Sequence, residues 1–224
     1  HDPLINFSSL LLKADLSIGN LECVVATKGK AEDKPYTFRA NTKAIPLLKK
    51  YFTAVSLANN HSGDFGKAGF VDMLNLFKAN NVGYFGGGHN LRESHQPFIK
   101  DIKGKRIGIL GYDSFFPRSF ESQSDFPGVA WLDEDYVVED IKNAKKNLGV
   151  DFLIVFPHWG WERNKIASER QRRMAYLMID SGADVVVGAH PHVTQDIETY
   201  QGKYIFYSLG NFVFDGFKDD LQNT

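Results

Sequence analysis

Two histidines separated by one proline form the segment of this sequence best suited to metal binding. His190 and His192 flank Pro191 and follow the apolar run DVVVG at 184–188. Side chains at positions i and i+2 of an extended backbone project to the same side, and proline favours an extended residue before it. Neutral imidazole is a common ligand of transition metals. The spacing therefore predicts a metal-binding pair.

Polar side chains also stand at the ends of the other short apolar runs. They are Asn20 and Glu22 after 15–19, Asn59, Asn60, His61 and Asp64 after 53–57, His158 and Glu162 after 151–156, and Ser208 and Asn211 at the end of 204–208. Taken singly, a lone His61 can be structural and an Asn-Asn pair is common in turns. Taken together they indicate one site, because open α/β sheets bind ligands beyond the carboxyl ends of their strands. We expect them to share one rim of a sheet.

The elements that must position these groups alternate along the chain. Strands are predicted at 15–19, 53–57, 82–85, 96–102, 105–112, 151–156, 184–188 and 204–208, and helices at 4–13, 66–80, 135–148 and 168–181. Apolar residues at Phe70, Leu74 and Phe77 give the second helix its helical spacing, and Gly182 is a suitable residue to end the last one. Such alternation of strands and helices predicts a layered α/β domain.

Other polar and glycine-rich segments carry no chemistry in this interpretation. His1, His89 and His95 stand at the terminus or in a polar loop. The run Gly86-Gly87-Gly88 lacks the G-x-G-x-x-G spacing of a phosphate-binding loop, so it predicts a tight turn. The charged segment 27–34 is expected to be a mobile loop.

Composition limits the class of protein. With 224 residues, 43% of them hydrophobic and 24% charged, the chain suits one globular domain over 1–224. A formal net charge of -1 gives no support for a basic nucleic-acid-binding face, so no nucleic-acid partner is expected. An anionic substrate is still compatible, because a metal supplies local positive charge. The single cysteine, Cys23, excludes an intrachain disulfide.

Five motifs in order give the chain a resemblance to a known family. They are ADLSIGNLE (14–22), SLANNHSGDFG (56–66), HWGWE (158–162), GAHPHVTQ (188–195) and YSLGNFVFD (207–215), with weaker similarity in PYTFRA (35–40) and PGVAW (127–131). At these motifs the sequence resembles the CapA-type family of poly-γ-glutamate capsule synthesis, which belongs with the calcineurin-like metallophosphoesterases. The resemblance implies a layered metallophosphoesterase-like fold with a sheet core flanked by helices.

The resemblance also implies roles for the residues collected above. The metal ligands would be Glu22, Asn60, His158, His190 and His192, with Glu22, or failing that Asn20, bridging two metals. His61 would be a proton donor or transition-state stabiliser, with Asp64 as a second catalytic residue. Substrate would be bound by Asn20, Arg39, Glu162, Ser208 and Asn211. Arg39 is a candidate because a guanidinium group binds carboxylate or phosphate bidentately.

The implied function is a metal-dependent hydrolase or transferase of capsule or poly-γ-glutamate biosynthesis. It would act on a phosphoester or a γ-glutamyl substrate through water activated by two divalent ions, with Mn, Zn and Fe left open. The alternative is a non-catalytic accessory subunit that binds the anionic polymer within a membrane-bound poly-γ-glutamate synthase.

The family resemblance also bears on location and on the ends of the chain. It implies a cell-surface or membrane-associated protein outside the cytoplasm, with synthase subunits as partners. The family usually opens with a strand ending in Gly-Asp, which does not precede Leu4, and it usually continues beyond Asp215. We therefore expect a domain that is truncated at both ends.

Overall fold

The computed structural model describes residues 2–214. His1 and Asp215, the last residue of the motif YSLGNFVFD, lie outside this range. The helices are α1 (Ser8–Lys13), α2 (Ile45–Tyr51), α3 (Gly66–Asn80), α4 (Leu91–Ser94), α5 (Glu134–Lys146) and α6 (Glu169–Ser181). The strands are β1 (Ile18–Asn20), β2 (Val24–Val25), β3 (Arg39–Ala40), β4 (Ala54–Ser56), β5 (Tyr84–Phe85), β6 (Gly87–Gly88), β7 (Phe98–Ile102), β8 (Lys105–Asp113), β9 (Gly128–Val129), β10 (Phe152–His158), β11 (Val185–Val187), β12 (Ile197–Tyr200) and β13 (Lys203–Phe206).

Internal contacts divide the described chain into two compact units. Unit one takes in the chain up to Phe98 together with Phe116–Trp131. Unit two takes in Ile99–Phe115 and the described chain from Leu132 onward. Each unit combines strands with helices, which confirms the predicted α/β class. The prediction of one domain over 1–224 stays a prediction. Among the described residues, no helix is both long and apolar enough to cross a bilayer.

Unit one is built on a parallel sheet in the order β1–β4–β5. Helix α3 confirms the prediction for 66–80, and its apolar side chains recur at helical spacing on the face that is buried. Asn81 ends the helix with a left-handed φ of 56° and donates its backbone N–H to the carbonyls of Phe77 and Lys78. The core of this unit is formed by buried apolar residues, among them Val24, Val25, Val55, Leu57, Phe70, Met73, Leu74 and Phe77.

The glycine run in unit one serves close packing. Gly86 turns the chain with a φ of 73°, but Gly87 and Gly88 form strand β6 and pair with β9, so the predicted tight turn is wrong for them. A Cβ atom on Gly88 would lie 2.5 Å from Cβ of Glu93. Only glycine lets the backbone come this close to α4, so close packing accounts for Gly88.

Unit two is built on a six-stranded sheet in the order β12–β13–β11–β10–β8–β7. Its four central strands, β13, β11, β10 and β8, run parallel, whereas β12 is antiparallel to β13. Lys103 and Gly104 join β7 to β8 with positive φ at both residues, as a two-residue hairpin turn requires, which confirms the predicted hairpin. The predicted strands at 151–156, 184–188 and 204–208 are confirmed as β10, β11 and β13, within a few residues.

Two capped helices belong to unit two. Asp133 caps α5 by accepting the backbone N–H of Asp135. Ser168 and Gln171 form a capping box at the start of α6, which satisfies backbone donors that a helix start leaves without partners. Both helices pack close to the central strands, and the core contains Ile109, Leu110, Val137, Ile141, Leu153, Val155, Met174, Met178, Val186 and Ile205. This packing fixes the carboxyl ends of β10 and β11, where the histidines lie.

Candidate functional site

His158 is the last residue of strand β10 and is fully buried. The backbone N–H of Ala189 donates to Pro157 O at 2.9 Å, and that of Trp159 donates to Ala189 O at 3.1 Å. These two bonds continue the pairing of β10 and β11 past the end of the named strands. The histidine is therefore placed by the sheet itself, next to the segment that carries the other two histidines.

The segment His190-Pro191-His192 is not extended. His190 has a φ of 98° and His192 a φ of 59°, so both lie in the left-handed region. The expectation that an extended backbone brings the two rings to one side is therefore wrong. The rings still come together, with centroids 5.9 Å apart, because two left-handed residues fold the chain back. Such backbone conformations cost about 1–3 kcal/mol each and are common at functional sites.

The ring nitrogens of these histidines converge. Nε2 of His158 lies 3.1 Å from Nδ1 of His190, so one of them donates to the other. Two nitrogen ligands of one tetrahedral zinc ion lie about 3.3 Å apart, given zinc–nitrogen bonds of about 2.0–2.1 Å. The pair is thus spaced as two ligands of one ion would be, with little movement of either ring.

Asn211 orients the third histidine. Its Oδ1 atom lies 2.8 Å from Nδ1 of His192. An amide oxygen only accepts, so Nδ1 carries the hydrogen and the lone pair is on Nε2. Metal-binding histidines commonly donate their other ring N–H to such a partner. Asn211, which was predicted to bind substrate, therefore contacts a candidate metal ligand.

Glu162 completes a group of three possible ligands within unit two. Its carboxylate oxygen and one ring nitrogen each of His190 and His192 all lie within 4.8 Å of one another. Two imidazoles and a carboxylate suit a divalent transition metal such as zinc. The donor set of unit two therefore fits the metal that the resemblance implies.

Ser208 builds the turn that carries Asn211. It is buried, its carbonyl oxygen accepts the backbone N–H of Gln195 at 3.1 Å, and its Oγ accepts the N–H of Gly210 at 3.2 Å. These contacts are structural. Its predicted role in binding substrate stays a prediction.

Unit one holds the predicted catalytic pair. Nδ1 of His61 lies 2.8 Å from Oδ2 of Asp64, a fully buried carboxylate. Asp64 also accepts the backbone N–H of Phe38 at 2.6 Å and forms an ion pair with Lys34. Because the carboxylate only accepts, Nδ1 of His61 carries the hydrogen, and Nε2 is the nitrogen that can exchange a proton.

Asn59 connects the catalytic pair to the end of β1. Its Nδ2 donates to Oδ1 of Asn20 at 3.1 Å and to the carbonyl of Leu21 at 3.0 Å, and its Oδ1 accepts the backbone N–H of His61 at 3.1 Å. Nδ2 of Asn20 in turn donates to Oε2 of Glu22 at 2.8 Å. Asn20, Glu22 and His61 thus belong to one hydrogen-bonded chain, and Asn60 follows Asn59 in the same turn.

Arg39 is held by the loop 27–34. One guanidinium nitrogen donates to the carbonyls of Lys28 and Gly29 at 2.7 and 2.8 Å, and the group lies 3.8 Å from the ring centroid of Phe65. This structural role competes with the predicted grip on substrate, which stays a prediction. The same contacts anchor a loop that was expected to be mobile, and Lys34 fixes its other end.

Sequence reasoning missed two polar residues of these sites. Asp113 is buried at the end of β8, in register with His158 at the end of β10. The rule that selected the other strand-end residues could have found it. Lys34 was read only as part of a charged loop, and no local signal links it to Asp64. The prediction that Glu22 and His61 share one rim with the histidines stays a prediction.

Comparison with known proteins identifies the family. A family model described as bacterial capsule synthesis protein PGA_cap matches residues 1–216. The chain belongs to the PGA_cap family. Among its relatives are the PGA biosynthesis protein CapA of Bacillus subtilis (36% identical over 219 residues, 96% of this chain) and the capsule biosynthesis protein CapA of Bacillus anthracis (35% over 215 residues, 93% of this chain).

A third relative of this PGA_cap chain carries a different description. It is a probable polyglutamine synthesis accessory protein of Mycobacterium tuberculosis, 31% identical over 214 residues and 90% of this chain. The chain spans 57%, 52% and 56% of the lengths of these three relatives, about half of each. These relatives confirm the resemblance to the CapA-type family that the motifs indicated.

Solved structures show that the PGA_cap chain has a metallophosphoesterase-like fold. A hypothetical protein from Thermus thermophilus matches 93% of this chain and 69% of its own, with a TM-score of 0.61 and 16% identity. A 5'-nucleotidase precursor from the same organism matches 75% of this chain and 35% of its own, with a TM-score of 0.53 and 16% identity. At this identity the likeness concerns the fold alone, and it confirms the predicted fold.

Proposed function

We propose that this PGA_cap protein is a metal-dependent hydrolase or transferase of capsule or poly-γ-glutamate biosynthesis. The observation that carries the proposal is the convergence of His158, His190 and His192 beyond β10 and β11. Ring nitrogens of the first two are 3.1 Å apart, and Asn211 orients the third. Three converging imidazoles with an oriented tautomer are typical of a transition-metal site.

Bound divalent metal would activate a water molecule and offset negative charge on a phosphoryl or carbonyl oxygen. We infer two ions, in line with the resemblance, with Glu22 and Asn60 as further ligands. The protein's own part is to hold the imidazoles in the correct tautomers. Asn211 does so for His192. The main-chain pairing at Ala189 fixes the position of His158.

His61 is the proposed proton donor to the leaving group. Asp64 accepts the hydrogen on Nδ1 and so fixes the ring. When Nε2 also carries a proton, the imidazolium can give that proton to the leaving group and keeps the hydrogen on Nδ1. The carboxylate is itself held by Phe38 N–H and Lys34, so it cannot follow the ring, and turning the ring away breaks the bond between them. A positioned general acid typically contributes about 10²–10⁴-fold to the rate.

The substrate class follows from the family and from the donor set. A phosphoester or a γ-glutamyl amide presents an anionic or polarised oxygen that a divalent metal can bind. The Bacillus subtilis relative is named as a PGA biosynthesis protein, which supports a poly-γ-glutamate substrate. In such a role the protein would work at the cell surface with membrane synthase subunits, which cell fractionation and co-purification would test.

A second function is favoured by one relative's description. The Mycobacterium tuberculosis protein is named as a probable accessory protein. The alternative is therefore a non-catalytic subunit that binds the anionic polymer through the same metal-bearing pocket. Both functions need bound metal, and only the first needs turnover.

Elemental analysis of the purified protein, combined with a screen of phosphoesters and γ-glutamyl peptides, tests the proposal. We expect bound divalent metal, its loss in His192→Ala, and turnover that falls about 10²–10⁴-fold in His61→Ala while metal content is kept. Polymer binding without turnover would select the accessory function. No metal at neutral pH, and no effect of His192→Ala, would overturn both.

A further inference from the structure

We propose that Glu162 is a metal ligand and that unit two binds a divalent transition metal through Glu162, His190 and His192. The inference rests on the proposed function, since it concerns the same metal centre. It differs from the role expected from sequence, in which Glu162 contacts the substrate. All three of these ligands lie in unit two.

The distances allow the three groups to share one ion. The ligand atoms of Glu162, His190 and His192 lie within 4.8 Å of one another. Ligands of a tetrahedral ion lie about 3.3 Å apart, given bonds of about 2.0–2.2 Å. The remaining gap is at most about 1.5 Å, and rotation about the side-chain bonds of the exposed Glu162 can close it on the glutamate's side.

The loop that carries Glu162 is tied to the histidine segment by its backbone. Arg163 N–H donates to the carbonyl of Pro191, the residue between the two histidines, at 2.8 Å. Just before Glu162, Gly160 turns the chain with a φ of 86°, a conformation that glycine adopts without strain. The glutamate is therefore brought to the histidines by ordered main chain on both of its sides.

A buried glutamine holds the far end of the same loop. Nε2 of Gln195 donates to the carbonyl of Asn164 at 2.8 Å and accordingly fixes the chain two residues after Glu162. Oε1 of Gln195 accepts from Nε2 of Gln171 at 2.9 Å, which ties the glutamine to helix α6. A loop anchored in this way holds the backbone of Glu162 in one place, which keeps its side chain within reach of the histidines.

Electrostatics favours the ligand role over the substrate role. A free carboxylate beside the histidines would repel the phosphate or carboxylate groups of an anionic substrate. As a ligand, the same carboxylate cancels one charge of a divalent ion, and two neutral imidazoles cancel none. The centre keeps a net positive charge for an anionic substrate, and a three-ligand site leaves a position open for water.

Zinc affinity of matched variants tests the inference without any activity assay. The variants are Glu162→Gln, the control Glu169→Gln, which removes the same charge from an exposed position at the start of α6, and His192→Ala. Dissociation constants for Zn²⁺ are measured by competition with a chromophoric chelator. Co²⁺ absorption reports the ligand set, and circular dichroism checks folding.

We expect Glu162→Gln to raise the Zn²⁺ dissociation constant at least ~10-fold, since even loss of a residue that only supports a ligand costs about 10–100-fold. The Co²⁺ spectrum should change as well, whereas Glu169→Gln should leave both unchanged. If Glu162→Gln binds Zn²⁺ as the control does while His192→Ala loses it, the inference is wrong and the proposed metal centre stands. If the unaltered protein binds no Zn²⁺ or Co²⁺, both are wrong.

Discussion

Replacing Lys34 with methionine would test the electrostatics around the buried carboxylate of Asp64. One oxygen of this carboxylate pairs with Lys34, and the other accepts Phe38 N–H at 2.6 Å and faces Nδ1 of His61 at 2.8 Å. Methionine keeps most of the aliphatic stem of lysine and removes its charge. The substitution therefore largely keeps the packing of the side chain and removes the ion pair, together with the hydrogen bond from Nζ to the carbonyl of Asn60 at 3.0 Å.

The expected cost lies between two known limits. Removing one partner of a buried ion pair costs about 3–5 kcal/mol, whereas exposed pairs contribute about 0–1 kcal/mol. Asp64 is fully buried but 32% of the Lys34 side chain is exposed, so water already screens part of the attraction. Asp64 also keeps its bonds to Phe38 and His61. We therefore expect a loss of about 2 kcal/mol in the free energy of unfolding.

Urea unfolding followed by circular dichroism and tryptophan fluorescence measures this loss. Lys30→Met is the matched control, because Lys30 is exposed on the same loop, and its effect should stay below about 0.5 kcal/mol. In an Asp64→Asn background the cost of Lys34→Met should shrink, since no buried charge remains to be paired. Equal costs for the two lysines, or an unchanged cost in that background, would refute the ion-pair explanation.

Three further predictions concern other parts of the molecule. Gly188→Ala should destabilise the protein by about 1–3 kcal/mol and weaken metal binding, because the new Cβ would lie 2.1 Å from the carbonyl oxygen of Tyr207; thermal melting and Zn²⁺ titration check this. The hydrogen bond from Tyr176 holds the pKa of Glu198 below its ordinary 4.5, so Glu198 stabilises the fold above that pH. The loss of unfolding free energy caused by Glu198→Gln at pH 7 should thus become smaller as the pH drops through the lowered pKa. Urea unfolding at a series of pH values down to 3 measures this loss, and a constant loss would contradict the prediction. Burial raises the pKa of Cys23 to about 12, so iodoacetamide should not modify it at pH 8 unless the protein is unfolded, as mass spectrometry would show.

The elements of the fold could be predicted where apolar spacing was strong. Helix α3 and strand β10 were found because their buried residues recur at helical spacing or in a continuous apolar run. The rule that ligands bind beyond strand ends then selected His158, His190 and His192 without a structure. Short pairs such as β2–β3 and β6–β9 were missed, since two-residue strands leave no periodic pattern.

Long-range contacts explain what the sequence could not predict. Proline favours an extended residue before it, yet His190 adopts a left-handed φ of 98°. The reason is that main-chain bridges fix both ends of the segment, Ala189 to His158 and Thr194 to Leu209. The residues between these bridges must turn to connect them, and this requirement overrides the preference of Pro191 for an extended residue before it. The role of Lys34 could not be predicted either, because its partner, Asp64, lies far along the chain.

The strained histidine segment bears on whether the three imidazoles are structural. A structural histidine pair gains nothing from left-handed backbone, which costs about 1–3 kcal/mol for each residue. The fold keeps that conformation and adds an oriented tautomer at His192 through Asn211. The main-chain bridges impose the backbone conformation, but orientation of a ring nitrogen matters to a metal and little to packing, so the oriented tautomer favours a ligand role. Because hydrolase and accessory subunit both depend on the geometry of these ligands, metal affinity must be established before turnover or polymer binding can distinguish them.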